Sequence, residues 1–284
     1  MASEEADYPW YVREADGSID FCGIPDRLLR HPELQRRGIV PTDVLKPGTV
    51  YRTLPMIEPV YVVKILNPSM EELAIYQRLL RELKRSNNHT VPCEVTLNGH
   101  PLLIMPSFDR LGSIHGGKQT APALIDIIFQ LVEGLEFLHS LRIVHMDMCP
   151  DNVIAANHHH TTVNPSAVED RLYIIDFDSS RQFTLGPGVQ RAITLPETQI
   201  EPPNGLTHFD PYSWDVYCTG RTHATKNKGK LVQNGQALRE TVTSCVVTTQ
   251  HGLRARFSSN RQVLEWLDRI AMPSLRPEFL DGLL

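Results

Sequence analysis

The sequence predicts an α+β chain in two parts, a strand-rich first part carrying one helix and a larger helical part after it. Three observations carry this. Between residues 48 and 108, short β-branched and apolar runs alternate with Pro, Gly and Asn-Gly turns. One helical apolar stripe interrupts them, at residues 73, 75, 76, 79, 80 and 83. From residue 121 a longer stripe begins, at 124, 127, 128, 131, 135, 138 and 141.

The elements follow in order. Residues 1–45 mix aromatic, charged and turn residues and form an N-terminal extension, within which "PDRLLRHPELQRRG" suits a short helix ending at Gly38. "GTVYRTL" (48–54) and "PVYVVKIL" (59–66) are strands bounded by Pro and Gly. The helix over 70–83 follows, and Ser69 with Glu72 three residues on forms a capping box. "CEVTL" (93–97) and "PLLIMPSF" (101–108) make a hairpin across Asn98-Gly99. After the long helix come short strands at 152–156 and 172–177, with "NHHHTTVNPSAVEDR" between them as a surface loop. A Pro- and Gly-rich stretch (183–212) leads to a helix at "SWDVYCTG", then a basic segment (225–235) and an amphipathic helix over 259–270. The division expected is 1–45, 46–107 and 108–284, the last trimmed or rebuilt after about residue 220.

Composition narrows the class. With 41% apolar and 21% charged residues in a chain of 284, this is globular composition with enough length for a sizeable core. A net charge of -5 offers no attraction to nucleic acid or to an anionic membrane, and neither is expected as a partner. Five scattered Cys (22, 93, 149, 218, 245) without a CxxC pair suit a reducing compartment. The acidic start "MASEEADYPW" lacks the apolar core of a secretory signal, and no run approaches the ~20 apolar residues of a membrane-spanning helix. The expectation is a soluble intracellular protein, cytoplasmic or nuclear.

The chemistry is concentrated in "IVHMDMCPDN" (143–152) and in two distant residues. Asp147 and Asn152 lie five positions apart on a loop after the long helix, a spacing that alone serves turns and caps as readily as catalysis. "YIIDFD" adds Asp176 at the end of an apolar strand, and "VYVVK" places Lys64 on another. A Lys among Val and Ile is costly to bury without a counter-charge, which Glu72 on the inward stripe of the next helix can supply in preference to Glu71. These types suit phosphoryl transfer, which asks for metals, charge neutralisation and an oriented nucleophile. Asp176 and Asn152 offer oxygen ligands to Mg²⁺, Lys64 can meet nucleotide phosphates, and Asp147 can orient an attacking hydroxyl.

Taken together these stretches resemble the protein kinase-like superfamily from about residue 46 to 220, and more weakly to 270. "VVK" resembles the lysine strand, "MEELAIYQRLL" the helix carrying its Glu, and "LLIMPSF" the strand entering the hinge. "LVEGLEFLHSLRIVHMD" is similar to the helix and loop before the catalytic Asp, and "DFD" stands where kinases carry Asp-Phe-Gly. The resemblance implies a two-lobed fold, with a small β-rich N-lobe holding one helix and a larger, shortened helical C-lobe. It implies ATP and Mg²⁺ as cofactors, with Asp147 catalytic, Lys64, Glu72, Gly48 and Val50 around ATP, and Asn152 and Asp176 on the metal. It also implies His145 and Asp215 as a structural hub, since "DVYCTG" resembles the helix whose buried Asp holds the catalytic-loop backbone.

Several positions depart from that pattern. Gly48 is the one glycine near a loop where the family has three, and Met146 and Cys149 stand where Arg and Lys are common. Met146 removes the counter-charge for a phosphorylated activation loop. Asp178 replaces the Gly of Asp-Phe-Gly. "PPN" (202–204) stands for Ala-Pro-Glu, so Asn204 cannot pair with Arg256. His158, His159 and His160 read as a solvated loop rather than a metal site, because consecutive residues rarely converge on one ion. Three readings stay open: a divergent protein Ser/Thr kinase with an unknown protein substrate, a pseudokinase scaffold with a partner protein, and a small-molecule phosphotransferase.

Overall fold

The computed structural model describes residues 8–117, 121–194, 197–202, 205 and 207–225. These fall into two compact units, 8–138 with 151–182, and 139–150 with 183–225. The predicted helix over 259–270, the basic residues 226–235, Asn204 and Arg256 lie outside the described residues.

The first unit opens with a short hairpin, Val12–Arg13 paired with Ile19–Asp20, followed by two short helices where one was expected, α1 (Asp26–Leu29) and α2 (Pro32–Arg37). Pro32 starts α2 at a position where its missing N–H costs nothing, and Gly38 ends it in the left-handed conformation (φ 65°). A five-stranded antiparallel sheet follows. Its strands are β1 (Pro41–Lys46), β2 (Val50–Thr53), β3 (Tyr61–Ile65), β4 (Glu94–Thr96) and β5 (Leu102–Pro106), in the order β1-β2-β3-β5-β4. The Asn-Gly hairpin is present, with Thr96 opposite Leu102 and Gly99 at φ 90°. β1 falls within the stretch read from sequence as extension. Two register shifts against β2, between Pro41 and Asp43 and between Val44 and Lys46, break the alternation that would have revealed it.

The pairing register assigns the faces. Tyr51 lies opposite Val63, and Val63 opposite Ile104, so these share a face with Ile65 and Leu102. Trp10, Leu28, Leu34 and Ile39 of the N-terminal segment close over it, all nearly excluded from water. Each such side chain contributes about 1.5–3 kcal/mol. Val50 and Lys64 are paired on the opposite face.

α3 (Glu72–Leu80) buries Glu72 and, of the predicted stripe, Ile75, Tyr76 and Leu79; Leu73 and Leu80 are half-buried, and the helix ends before Leu83, which is exposed. The capping box is not formed. Glu71 is the N-cap with no side-chain cap bond, while the Ser69 N–H donates to Asn67 Oδ1 at 3.0 Å. Asn67 thus closes a local turn that takes Ser69 away from the helix end.

A strand β6 (Asp109–Arg110) and helix α4 (Ala121–Ser140) come next. β7 (Val153–Ala155) then lies between β6 and β8 (Leu172–Ile174), all antiparallel. Gly134 on α4 permits close approach: a Cβ there would stand 2.9 Å from His89 Cβ and 3.0 Å from Ile174. The predicted loop between β7 and β8 holds a helix, α5 (His158–Val163). Asn157 caps it by accepting from the His160 N–H at 3.1 Å, and His160 Nδ1 accepts from the Asn157 N–H at 3.0 Å. His159 meets Glu58 at 2.9 Å and His158 meets Glu169 at 3.2 Å, so two of the three imidazoles face carboxylates of this chain.

The second unit is built on α6 (Pro211–Thr225), whose Trp214, Asp215 and Cys218 are buried. Ile193–Thr194 pairs with His208–Phe209, and the Tyr212 hydroxyl donates to Leu185 O at 2.8 Å. Among the described residues no helix is long and apolar enough to cross a membrane.

Candidate functional site

In the first unit, β3 delivers Lys64 to the face opposite the N-terminal segment, where it is 3% exposed. Its ammonium donates to Glu72 Oε1 at 2.7 Å and, in a shorter contact, to Asp176 Oδ1. Glu72 is 1% exposed and Asp176 25%. Glu71 turns elsewhere: its Oε2 accepts the Gln182 N–H at 2.8 Å and Arg181 approaches its Oε1 at 3.8 Å.

Burial alone would lower the Lys64 ammonium, but Asp176, Glu72 and Asp178 outweigh it and the net direction is up. Glu72 moves up as well, from 4.5 to about 7, because burial costs its charged form more than Lys64 returns. One ammonium is thus shared between two carboxylates, and burial holds the Glu72 carboxyl above its usual range.

A pH effect follows. Raising the folded pKa of Glu72 above its unfolded value makes its contribution full below pH 4.5 and lost as pH rises through about 7. Wild type should therefore lose stability relative to Glu72→Gln across that window. Urea unfolding of both proteins at pH 5, 6, 7 and 8 measures it; parallel pH profiles would refute it.

Asp176 has a left-handed backbone (φ 65°), a conformation of appreciable cost in a residue with a Cβ. It sits between two fixed points. Ile175 N–H donates to Asn152 O at 3.0 Å, and Phe177 is fully buried with its ring edge-on to Tyr76 of α3, centroids 5.0 Å apart. The turn at Asp176 lets the Phe face the core while the carboxylate faces Lys64. Val153 pairs with Ile174, which places Asn152 beside the strand that ends at Asp176. Lys46 reaches Asp178 at 3.6 Å, so the additional carboxylate has a cation of its own. Gly48 (φ 74°) forms the β1–β2 loop, and Val50 lies opposite Lys64.

In the second unit, Asp215 is fully buried and organises residues 145 and 146. Its Oδ2 accepts the His145 N–H and its Oδ1 the Met146 N–H, both at 2.7 Å, while His139 Nε2 lies 3.1 Å from Oδ2. Trp214 Nε1 donates to Met146 O at 2.9 Å, and Met146 is held at φ 71°. Met146 therefore fills an interior position with 2% exposure, and Cys149 is equally buried. Asp147 is 8% exposed, and Gln199 meets both of its oxygens. The Gln199 N–H donates to Oδ1 at 2.9 Å and Nε2 donates to Oδ2 at 3.0 Å. Gln199 lies in a Pro-rich stretch with no periodicity, and no sequence signal singles it out.

Comparison with known proteins agrees with these features. Residues 102–197 match the family model described as protein kinase domain. Over 124 residues the chain is 30% identical to "Cell division control protein 2 homolog 3" of Trypanosoma brucei brucei, covering 43% of this chain and 36% of that protein. Over 111 residues it is 30% identical to "Serine/threonine-protein kinase CAK1" of Saccharomyces cerevisiae, covering 39% and 28%. The chain thus spans about a third of the length of the curated relatives it matches. Among solved structures, the Cydia pomonella granulovirus kinase PK-1 is similar with a TM-score of 0.43 and 21% identity, over 62% of each chain. Residues 102–197 are thus similar to a protein kinase domain, and the described residues are α+β.

Proposed function

We propose that this chain is a divergent protein Ser/Thr kinase that transfers the γ-phosphoryl group of Mg·ATP to protein hydroxyls. The observation that carries the reading is Lys64, buried and held jointly by Glu72 and Asp176. A Lys so placed has little structural purpose, because replacing buried ion pairs by apolar packing is often neutral or stabilising. Its value lies in presenting a fixed positive charge to phosphate oxygens. Asp176 and Asn152 supply the hard oxygen donors that Mg²⁺ prefers, and the partial exposure of Asp176 leaves its carboxylate open to exchange Lys64 for a metal. Bound there, Mg²⁺ would neutralise charge on the phosphates. Asp147 accepts or orients the proton of the substrate hydroxyl, and Asp215 holds its loop through residues 145 and 146. The scattered thiols suit a reducing compartment, and the cytoplasm or nucleus is the expected location.

A second reading, a pseudokinase scaffold with a protein partner, is favoured by the two Gln199 bonds on Asp147, which a substrate hydroxyl would have to displace. Incubation with γ-labelled Mg·ATP and either generic Ser/Thr peptides or small hydroxylated and amino compounds separates the alternatives. Label in peptide is expected. Tight Mg²⁺-dependent ATP binding without transfer would select the scaffold, and label confined to small molecules would select a small-molecule phosphotransferase.

A further inference from the structure

The buried stripe of α3 brings Glu72 to Lys64, and another side of the same helix is fastened to the chain that follows Asp176. Glu71 and Arg78 are 7 residues apart (78 − 71), about two helical turns, and so lie on one side of α3. Both reach Gln182. Glu71 Oε2 accepts its backbone N–H at 2.8 Å, and Arg78 Nη1 donates to its side-chain Oε1 at 3.1 Å. Arg181 adds a longer ionic contact to Glu71 Oε1, at 3.8 Å. One hydrogen bond would let the helix pivot about it. Two, a pair of turns apart, fix its direction as well as its place.

The span from Asp176 to Gln182 carries this hold to the site. Phe177 is fully buried with its ring edge-on to Tyr76, and Ser180, also buried, donates its N–H to Phe177 O at 3.1 Å. The span is therefore a packed turn with Asp176 at one end and Gln182 at the other. Asp176 and Glu72 are the two carboxylates on Lys64, and they come from separate elements. Their separation depends on what joins those elements. Tyr76 and Phe177 join them through the core, while Glu71, Arg78 and Gln182 join them where all three side chains are half-buried. Groups at such a margin reach water when parted, so breaking the join strands no buried donor.

We propose that Gln182 is a positioning residue for the nucleotide site: bridged between Glu71 and Arg78, it sets the distance between Glu72 and Asp176, and with it the placement of Lys64 for phosphate. The inference rests on the phosphoryl-transfer reading above. Gln182 acts through α3 and not on the nucleotide. Without the bridge the N-terminal end of α3 can swing, Glu72 drifts from Lys64, and the ammonium settles on Asp176, the carboxylate proposed to receive the metal. Sites of this kind are sensitive to such drift, since a misplacement of about 1 Å can cost as much as about 10²-fold. Side chains held by supporting hydrogen bonds are what prevent it.

Calorimetric titration of the full chain with Mg·ATP tests this, comparing wild type with Gln182→Ala, Arg78→Ala, the double variant and Gln182→Glu. Each alanine should weaken binding about three- to tenfold, and the double variant should lose no more than the larger single loss, because both substitutions remove one bridge. Gln182→Glu keeps an oxygen for Arg78 and should bind within about twofold of wild type. Urea midpoints should stay close to wild type throughout, since the altered side chains are half-buried. Unchanged binding in Gln182→Ala, losses that multiply in the double variant, no rescue by Gln182→Glu, or losses that follow a falling urea midpoint would each overturn the bridge and leave phosphoryl transfer standing. Absence of Mg·ATP binding in wild type overturns the bridge and the kinase reading together.

Discussion

Asp215→Ala is expected to destabilise the protein by about 3–5 kcal/mol. The carboxylate is fully buried and accepts two backbone N–H bonds of 2.7 Å, from His145 and Met146. Truncation strands both donors in the interior, each costing about 1–3 kcal/mol, and removes the partner of His139. The same bonds hold Met146 at φ 71°, so its backbone loses what keeps it in a sparsely populated region. Urea unfolding at pH 7 measures the change. Asp215→Asn, which keeps one acceptor oxygen, should fall between the two, and a loss under about 1 kcal/mol for the alanine variant would show that other contacts shape this loop.

Lys64→Met should be comparably costly, about 3–5 kcal/mol near pH 8, and should abolish nucleotide binding. The substitution leaves Glu72, 1% exposed, and Asp176 side by side without the cation they share. Two remedies are available. Acid should reduce the penalty, because the Glu72 carboxyl already takes up a proton at about pH 7 in the wild-type setting and loses its cation in the variant. Adding Glu72→Leu should restore most of the stability, since Asp176 reaches solvent and its charge can be hydrated. Stability recovered in the double variant with nucleotide binding still absent would separate the ionic role of Lys64 from its phosphate role. A Lys64→Met variant as stable as wild type at pH 8 would mean that the triad is not coupled as its geometry indicates.

Much of the arrangement was legible because it rests on periodicity. The stripe through Ile75, Tyr76 and Leu79 turns Glu72 inward, while Glu71, one residue earlier, meets Gln182 and Arg181. The Asn98-Gly99 hairpin was equally direct, since the turn needs the positive φ that Gly99 adopts. What escaped depends on tertiary contact. β1 carries two register shifts that erase its alternation. α5 is short, rich in weak helix formers, and formed around an Asn157 cap that a polar loop would also contain. Ser69 matches a capping box in spacing, but Asn67 captures its N–H first. Gln199 reaches a charged group 52 residues away, and nothing in its own neighbourhood announces it.

In the proposed reaction Asp147 handles the proton of a protein hydroxyl during phosphoryl transfer from Mg·ATP. The most direct measurement is the rate of γ-phosphate transfer to a Ser/Thr peptide by wild type and by Asp147→Asn, with Mg·ATP affinity determined for both. The rate should fall about 10²–10⁴-fold with affinity essentially unchanged. Equal rates in the two proteins, or a wild type that binds Mg·ATP and transfers nothing to any peptide, would contradict it.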